Sequence, residues 1–366
     1  MKLRANIEDL KSGLIAGTKV LLNPRNLNPS VDERLVLLEV KEDFLSVKFP
    51  GYVSMDVNFI ECQADGEFSV RVDPDIILSY ISAKTGSVEI SFDKEHKLSM
   101  VSGRGRMTSV YKDAPSYLLS KEVSGEPFMI VLSSYFVSIL KRATMFVKVD
   151  EFRQNLECVF LKSGKGVLEI AATDRFRCFR HRKEVEEVSE GEIQISPAAA
   201  SLLFHYLDKV DTNVSFYSSD KYSAIAFDDV VIYDLKYDRG FPNYSALFDR
   251  FDKVASVMVN KKTLLDSASL AKSVVKMATL GVSVGNPLAL SITDYGTGVH
   301  LEEEVPVTSF EGEGKVFHTY PSSFCDAVRA VLGEDALLEI TDNRYKLRNP
   351  RYPSDEIVGS FVSKFS

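Results

Sequence analysis

The sequence predicts an α+β fold made of three repeated units, each with two helices packed on antiparallel sheets. Three observations predict it: two unrelated helix-start signals that recur with nearly one period, alternating apolar runs between them, and a length of 366 residues, which suits roughly two to three ordinary domains.

The first signal is an N-cap residue behind a short strand. Leu3 and Ala5 precede Asn6, Ile130 and Leu132 precede Ser133, and Val257 and Val259 precede Asn260. An apolar residue, Leu10, Val137 or Leu264, follows four positions after each cap, as an inward helix face requires. The caps stand 127 residues apart in both intervals. The second signal is proline at the start of a helix, where its missing N–H goes unneeded. Val72-Asp73-Pro74, Ile195-Ser196-Pro197 and Thr319-Tyr320-Pro321 each precede a run of helical periodicity, with the prolines 123 and 124 residues apart.

Between the helices the pattern has period two. Leu45, Val47 and Phe49 alternate with polar residues, as do Phe68, Val70 and Val72, and then Val88, Ile90 and Phe92, which is the pattern of half-buried strands. The polar, Gly-rich stretch 162–166 between Phe160 and Val167 reads as a hairpin turn. The resulting expectation is three domains, 1–122, 123–252 and 253–366, each of normal domain size.

Composition narrows the class. Hydrophobic residues at 45% and charged residues at 26% exclude a disordered or fibrous chain. Cys62, Cys158, Cys178 and Cys325 lie in or beside apolar segments without CxxC spacing, so buried free thiols in a reducing compartment are expected. Glu8 and Asp9 stand where a secretion signal would be apolar, and no run of 18 apolar residues occurs. A soluble cytoplasmic protein with no membrane partner is the expectation.

A net charge of −8 argues against a nucleic-acid partner until its distribution is read. The helix windows 134–148 and 261–276 carry +3 each and the other four are neutral, so −14 falls on the remainder. Lys141, Arg142, Lys148, Lys261, Lys262, Lys272 and Lys276 supply this positive charge. If like helices share one side, that side attracts phosphate and the rest repels it. Nothing in these helices reads bases, so the contacts would go to the backbone and ignore sequence. The alternative is that these lysines simply solvate a helix face.

Catalytic chemistry is not evident. None of the five histidines, His96, His181, His205, His300 and His318, has metal-ligand spacing, and neither a phosphate-binding loop nor a nucleophile elbow occurs. No catalytic residue, metal ligand or cofactor is therefore assigned. One cluster stands apart, Ala172 to Arg182, in which Phe and Cys alternate with Arg. It reads as a basic edge strand, or alternatively as the basic groove of a nucleic-acid-processing enzyme.

With three repeats, basic helices and the Ala-Thr-Asp-Arg-Phe-Arg segment at 172–177, the chain resembles the beta subunit of bacterial DNA polymerase III, the DNA sliding clamp family. The resemblance includes the Met-Lys-Leu start, Ser102 to Arg106, Thr173-Asp174 with Arg177, and Gly240-Phe241-Pro242-Asn243-Tyr244. It implies a non-enzymatic, ring-forming DNA clamp fold: a homodimer of six domains around duplex DNA, holding DNA polymerase and a clamp loader through short peptide motifs. It places Arg25, Lys148, Arg153 and Gln154 near DNA, and the helix charge adds Lys141, Arg142, Lys272 and Lys276 to the expected DNA-facing residues. The dimer interface it implies joins Arg106 and Met107 to Val274 and Val275 of the other copy. The partner-peptide cleft it implies comprises Leu156, Thr173, Arg175, Phe176, Arg177, Cys178, Pro242, Leu247, Phe361 and Val362.

Departures from the family pattern fall on that cleft. Arg175 and Phe176 replace a small residue and a His, and the tail from Ser360 to Ser366 lacks the usual Pro and Met. The chain therefore reads as a divergent member. A β-rich protein-interaction scaffold that never meets DNA is the further alternative.

Overall fold

A computed structural model describes residues 1–21, 34–51, 53–114, 123, 125–148, 156–186, 188–208, 210–236, 239–274, 278–294 and 296–362. All the described helices except the short one at Ser245–Asp249 begin where the two signals place them. They are α1 (Ile7–Leu21), α2 (Pro74–Ile81), α3 (Ser133–Ala143), α4 (Pro197–Leu207), α5 (Ser245–Asp249), α6 (Lys261–Val274) and α7 (Pro321–Ala330). Asn6 and Asn260 cap α1 and α6, their Oδ1 atoms accepting the N–H of Glu8 at 2.8 Å and of Thr263 at 3.1 Å. Ser133 serves differently: its hydroxyl donates to the Val210 carbonyl and accepts the Thr212 N–H at 3.1 Å, so it pins α3 to a neighbouring turn. α3 ends at Ala143, short of the helix through Lys148 that the charge pattern assumed. The Thr144 hydroxyl donates to the Lys141 carbonyl, and the chain tightens into a 3₁₀ turn at Thr144–Phe146 before Val147 becomes extended.

Compactness divides the chain into two units, and the middle third expected from the sequence contributes to both. The first comprises Met1–Val137 and Ala198–Lys236, the second Ser138–Pro197 and Tyr237–Ser366. In the first unit an antiparallel sheet runs from the edge strand Met129–Leu132 through Asn213–Ser218, Tyr222–Phe227, Val230–Leu235, Val53–Ala64, Lys2–Asn6, Ser87–Phe92 and Lys97–Ser102 to Gly105–Val110. Val230–Leu235 pairs with the early half of Val53–Ala64, joining segments far apart in sequence. Leu45, Val47, Phe49, Phe68, Val70, Val72, Val88, Ile90 and Phe92 all point into the core, as their spacing predicts. α1 packs closely on this layer: a Cβ on Gly17 would stand 2.1 Å from the Phe49 ring, so only glycine fits.

In the second unit a nine-stranded antiparallel sheet runs Gly191–Ile195, Val159–Gly164, Val167–Thr173, Arg177–Glu184, Asp355–Ser360, Arg344–Arg348, Asp335–Ile340, Ala255–Asn260, Val307–Gly312. A second, four-stranded sheet is ordered Val299–Val305, Leu288–Asp294, Leu280–Val284, Lys315–Thr319, and α6 and α7 pack against one another. The expected hairpin is present: Gly164 faces Val167, and the two turn residues Lys165 and Gly166 have φ of 52° and 73°, the left-handed values that a two-residue hairpin demands. All four cysteines are buried free thiols.

Candidate functional site

The strand Arg177–Glu184 organises the site, because a strand sends successive side chains to opposite faces. Arg177, Phe179 and His181 point one way and Cys178 and Arg180 the other. On the first face the Arg177 guanidinium lies 4.6 Å from the Phe146 ring centre, and Phe146 packs on Phe179 at 5.6 Å. Arg177 is 6% exposed yet fully answered. Its Nε donates to Asp174 at 2.9 Å, and its terminal nitrogens donate to the carbonyls of Met145 and Ser323 and to Asp326 at 3.3 Å. It thereby fastens the turn that precedes its strand to α7 and to the 3₁₀ turn.

That turn, Thr173 to Arg177, is closed by its own side chains. The Thr173 hydroxyl donates to the Arg177 carbonyl at 2.7 Å and accepts the Arg175 N–H at 3.2 Å, while Asp174 Oδ1 accepts the N–H of both Phe176 and Arg177 at 3.1 Å. Arg175 takes φ of 79°, a conformation that favours glycine. Beside the turn lies a shallow pocket lined by Lys148, Leu156, Asp174, Arg175 and Phe176. The segment Ser360–Val362 is fastened to the turn and to its neighbours: Ser360 N–H donates to the Phe176 carbonyl at 2.8 Å, Val362 N–H donates to the His318 carbonyl at 2.9 Å, and Phe361 stacks on Phe317 at 4.7 Å. Leu156, Thr173, Arg175, Phe176 and Arg177 are thus brought together, with Phe361 and Val362 half-buried.

Cys178 departs from the expectation. It is 1% exposed and faces the opposite side of the sheet, in a core with Phe160, Tyr244, Phe248 and Val358, where burial pushes its thiol pKa up. Alternation along the strand dictates this, so Cys178 and Arg177 lie on opposite faces of the sheet. Pro242 and Leu247 stand exposed in the segment that covers this second face, and Tyr244 and Phe248 are the residues of that segment that pack inward. Burial, and then a hydrogen bond donated to Glu169, raise the Tyr244 pKa. Arg180 lies 4.2 Å from the Phe248 ring centre and pairs with Glu356, which Lys346 also reaches at 3.1 Å.

Of the expected DNA-facing residues, Lys141, Lys148 and Lys272 are exposed on or just beyond α3 and α6. Arg142 is not: it is 8% exposed and forms a 2.7 Å ion pair with Asp355, whose other oxygen meets His181 Nδ1 at 2.7 Å. Its charge is spent inside the protein. Lys261 is half-buried, and its pKa is lowered by desolvation and by the neighbouring charges of Arg142 and Arg329. Arg25, Arg153, Gln154 and Lys276 lie outside the described residues.

Of the expected interface residues, Arg106 is exposed and Met107 half-buried on Gly105–Val110, the terminal strand of its sheet. Val274 is 39% exposed at the end of α6, and Val275 lies outside the described residues. A second terminal strand went unnoticed in the sequence. Val299–Val305 ends the four-stranded sheet and carries Glu302, Glu303 and Glu304. Its signal is the alternation of Val299, Leu301 and Glu303 with exposed residues, running into three successive acids. Among the described residues, no group of three His, Cys, Asp or Glu side chains could hold a metal ion.

No protein-family model matches the sequence, and no relative is found among curated proteins. Solved structures do match along the whole chain. The DNA polymerase sliding clamp of Bacillus subtilis superposes with a TM-score of 0.88 at 15% identity, covering 100% of both chains. The DNA polymerase sliding clamp of Caulobacter crescentus gives 0.87 at 15% identity over 99% of this chain and 100% of its own. The beta subunit of DNA polymerase III from Thermotoga maritima gives 0.82 at 18% identity over 100% of both. The chain therefore has the sliding-clamp fold.

Proposed function

We propose that the protein is a processivity clamp: two copies close head to tail around duplex DNA and hold a replicative polymerase and its loader there, without catalytic activity. Each copy would contribute three repeated domains, 1–122, 123–252 and 253–366, bounded by the recurrent helix starts. The observation that carries this reading is the likeness to sliding clamps along the full chain at TM-scores up to 0.88, since a ring subunit needs every repeat to close. Unlike catalysis, this activity asks for no reactive group. Linkage is topological, so backbone contacts need only be weak, sequence-blind and salt-sensitive.

Two features of the chain support the reading. Exposed Lys141 and Lys272 put positive charge on helices of an otherwise acidic protein, the arrangement that attracts DNA to one side only. The two terminal strands are complementary in charge, Arg104 and Arg106 at one and Glu302 to Glu304 at the other, so a head-to-tail contact would pair unlike edges and leave neither bare. Arg106 and Met107 would meet the partner copy's third domain, on the side of Val274 and Val275. Arg177 and its turn, with Leu156, Phe176, Phe361 and Val362, would seat partner peptides. Buried as they are, Arg177 and Arg180 do not form a basic groove. No described helix is long and apolar enough to cross a membrane.

Retention on nicked circular DNA after loading, compared with the same DNA linearised, tests the proposal. Stable retention on circles with loss from linear ends, together with a dimeric mass in solution, is the expected result. Equal retention on both forms would mean a contact-based binder.

A further inference from the structure

The hairpin that ends the first unit's sheet turns through Gly103 and Arg104. Ser102 faces Gly105 across its last rung, and Gly103 takes φ of 58°, the positive value that a two-residue turn needs at its first central position. Arg104 and Arg106 stand exposed at this tip, and among the described residues neither forms an ion pair within the chain. On a chain of net charge −8, these two unanswered cations are open to acids from outside it.

A helix side chain closes the tip. The Tyr80 hydroxyl, on α2, donates to the Gly105 carbonyl at 2.6 Å and accepts the Ser102 N–H at 3.0 Å, so one phenol bridges both strands of the hairpin at its last rung. Lys84, four residues further on, donates to the Ser102 carbonyl at 3.4 Å and lays its ammonium 3.9 Å from the Tyr80 ring centre, which holds the phenol against the turn. Ser102 Oγ donates in its turn to the Ser87 carbonyl at 3.1 Å. Gly105 permits this approach: a Cβ there would stand 2.6 Å from Lys84 Nζ and 3.4 Å from Tyr80 Oη. Beyond the rung the turn stands clear, since a Cβ on Gly103 would meet no atom within 4 Å.

We infer that Tyr80, supported by Lys84, is a positioning residue for ring closure: it fixes the direction in which Arg104 and Arg106 leave the sheet, so that they meet the acidic edge of a second copy already aligned. A hairpin tip held only by its own rungs frays, and long arginine side chains on a moving backbone lose more freedom when they pair. The role rests on the head-to-tail reading in taking Gly105–Val110 as a contact edge. Neither Tyr80 nor Lys84 needs to touch the partner copy.

Sedimentation velocity of the full chain, of Tyr80→Phe and of Lys84→Met tests it, with amide hydrogen exchange at Ser102 read in parallel. Tyr80→Phe keeps the ring and loses only the hydroxyl. Its Ser102 amide should exchange faster, and its dimer Kd at low salt should rise about three- to tenfold for each of the two contacts in a ring, the net worth of one hydrogen bond. The gap should narrow at high salt, where the charge of the arginines is screened whether or not the tip is held. Lys84→Met should shift Kd in the same direction by less.

Faster exchange with an unchanged Kd overturns the positioning role. So does a gap that is equal at every salt concentration, which a general loss of stability would give, and so does unaltered exchange at Ser102. In each of these cases a dimeric parent leaves the head-to-tail reading standing. A parent that is monomeric at every concentration overturns that reading and this inference together.

Discussion

Arg142 and Asp355, 213 positions apart in the chain, form a 2.7 Å ion pair with both residues under 9% exposed. Breaking one side of such a pair strands a charge out of water, whereas the intact pair is worth little beyond an apolar replacement. Arg142→Met leaves Asp355 its contact with His181 Nδ1 alone and should destabilise the protein by up to about 3–5 kcal/mol. Arg142→Met combined with Asp355→Leu should cost less than the sum of the two single changes. Urea unfolding of the four proteins measures this, and additive losses would show that the pair is not coupled.

Glu356 gives a pH dependence of definite sign. Burial alone would raise its pKa, but hydrogen bonds and charge from Arg180 and Lys346 outweigh that and hold it below the ordinary carboxylate value. A depressed folded-state pKa contributes stability that is full above the unfolded value, about 4.3, and is lost as pH falls through the folded one. Glu356→Gln should therefore be less stable than the parent at neutral pH and approach it by about pH 3. A constant difference across that range would assign the effect to packing.

Lys141→Glu with Lys272→Glu changes exposed residues in the last turns of α3 and α6, so the melting temperature should fall by no more than the loss of two helix-dipole contacts, about 0.3–1 kcal/mol each. For each lysine that neutralises a phosphate, its replacement should reduce the slope of log affinity for duplex DNA against log salt by about 0.9. Arg142→Met, by contrast, should leave the slope where it is. A slope that responds to Arg142 and not to the lysines would reverse the assignment of the DNA-facing side.

The terminal strands predict the mass in solution. Arg106→Glu, or Glu302→Lys with Glu304→Lys, sets like charges opposite one another in the proposed head-to-tail contact and should shift light-scattering mass from dimer to monomer. Combining the two sets should restore the dimer at least in part. A mass indifferent to all three would remove these edges from the interface.

Iodoacetamide should find little to react with in the native protein. The four thiols are buried, and burial raises the pKa of Cys62 and of Cys178, so thiolate is scarce at mildly alkaline pH. Mass spectrometry should show four modifications only after unfolding. Rapid native modification of Cys178 would contradict its placement behind the sheet.

What the sequence made legible was local. Asn6 and Asn260 cap helices through atoms two or three residues away, and proline at 74, 197 and 321 acts within its own turn, so these helix starts could be read directly. Lys141 and Arg142 could not be separated in this way. Adjacent helix positions differ by about 100°, so one faces water and the other the core, but which is which depends on Asp355, far along the chain. Cys178 was readable from alternation with Arg177, yet the resemblance grouped the two. α5 escaped notice because five residues give no periodicity, and Ser133 gave up its capping role to partners near residue 211.

Because Val230–Leu235 pairs with Val53–Ala64 and Arg177–Glu184 pairs with Asp355–Ser360, the middle third of the chain is no detachable module. Cutting at residue 122 or 252 would bare a long hydrogen-bonding edge on each fragment, an invitation to aggregate rather than to fold. The same constraint governs recombination. A chimaera that imports one third from another chain of this fold must import the matching edge of its neighbour as well, so exchange within this fold is tied to strand partners.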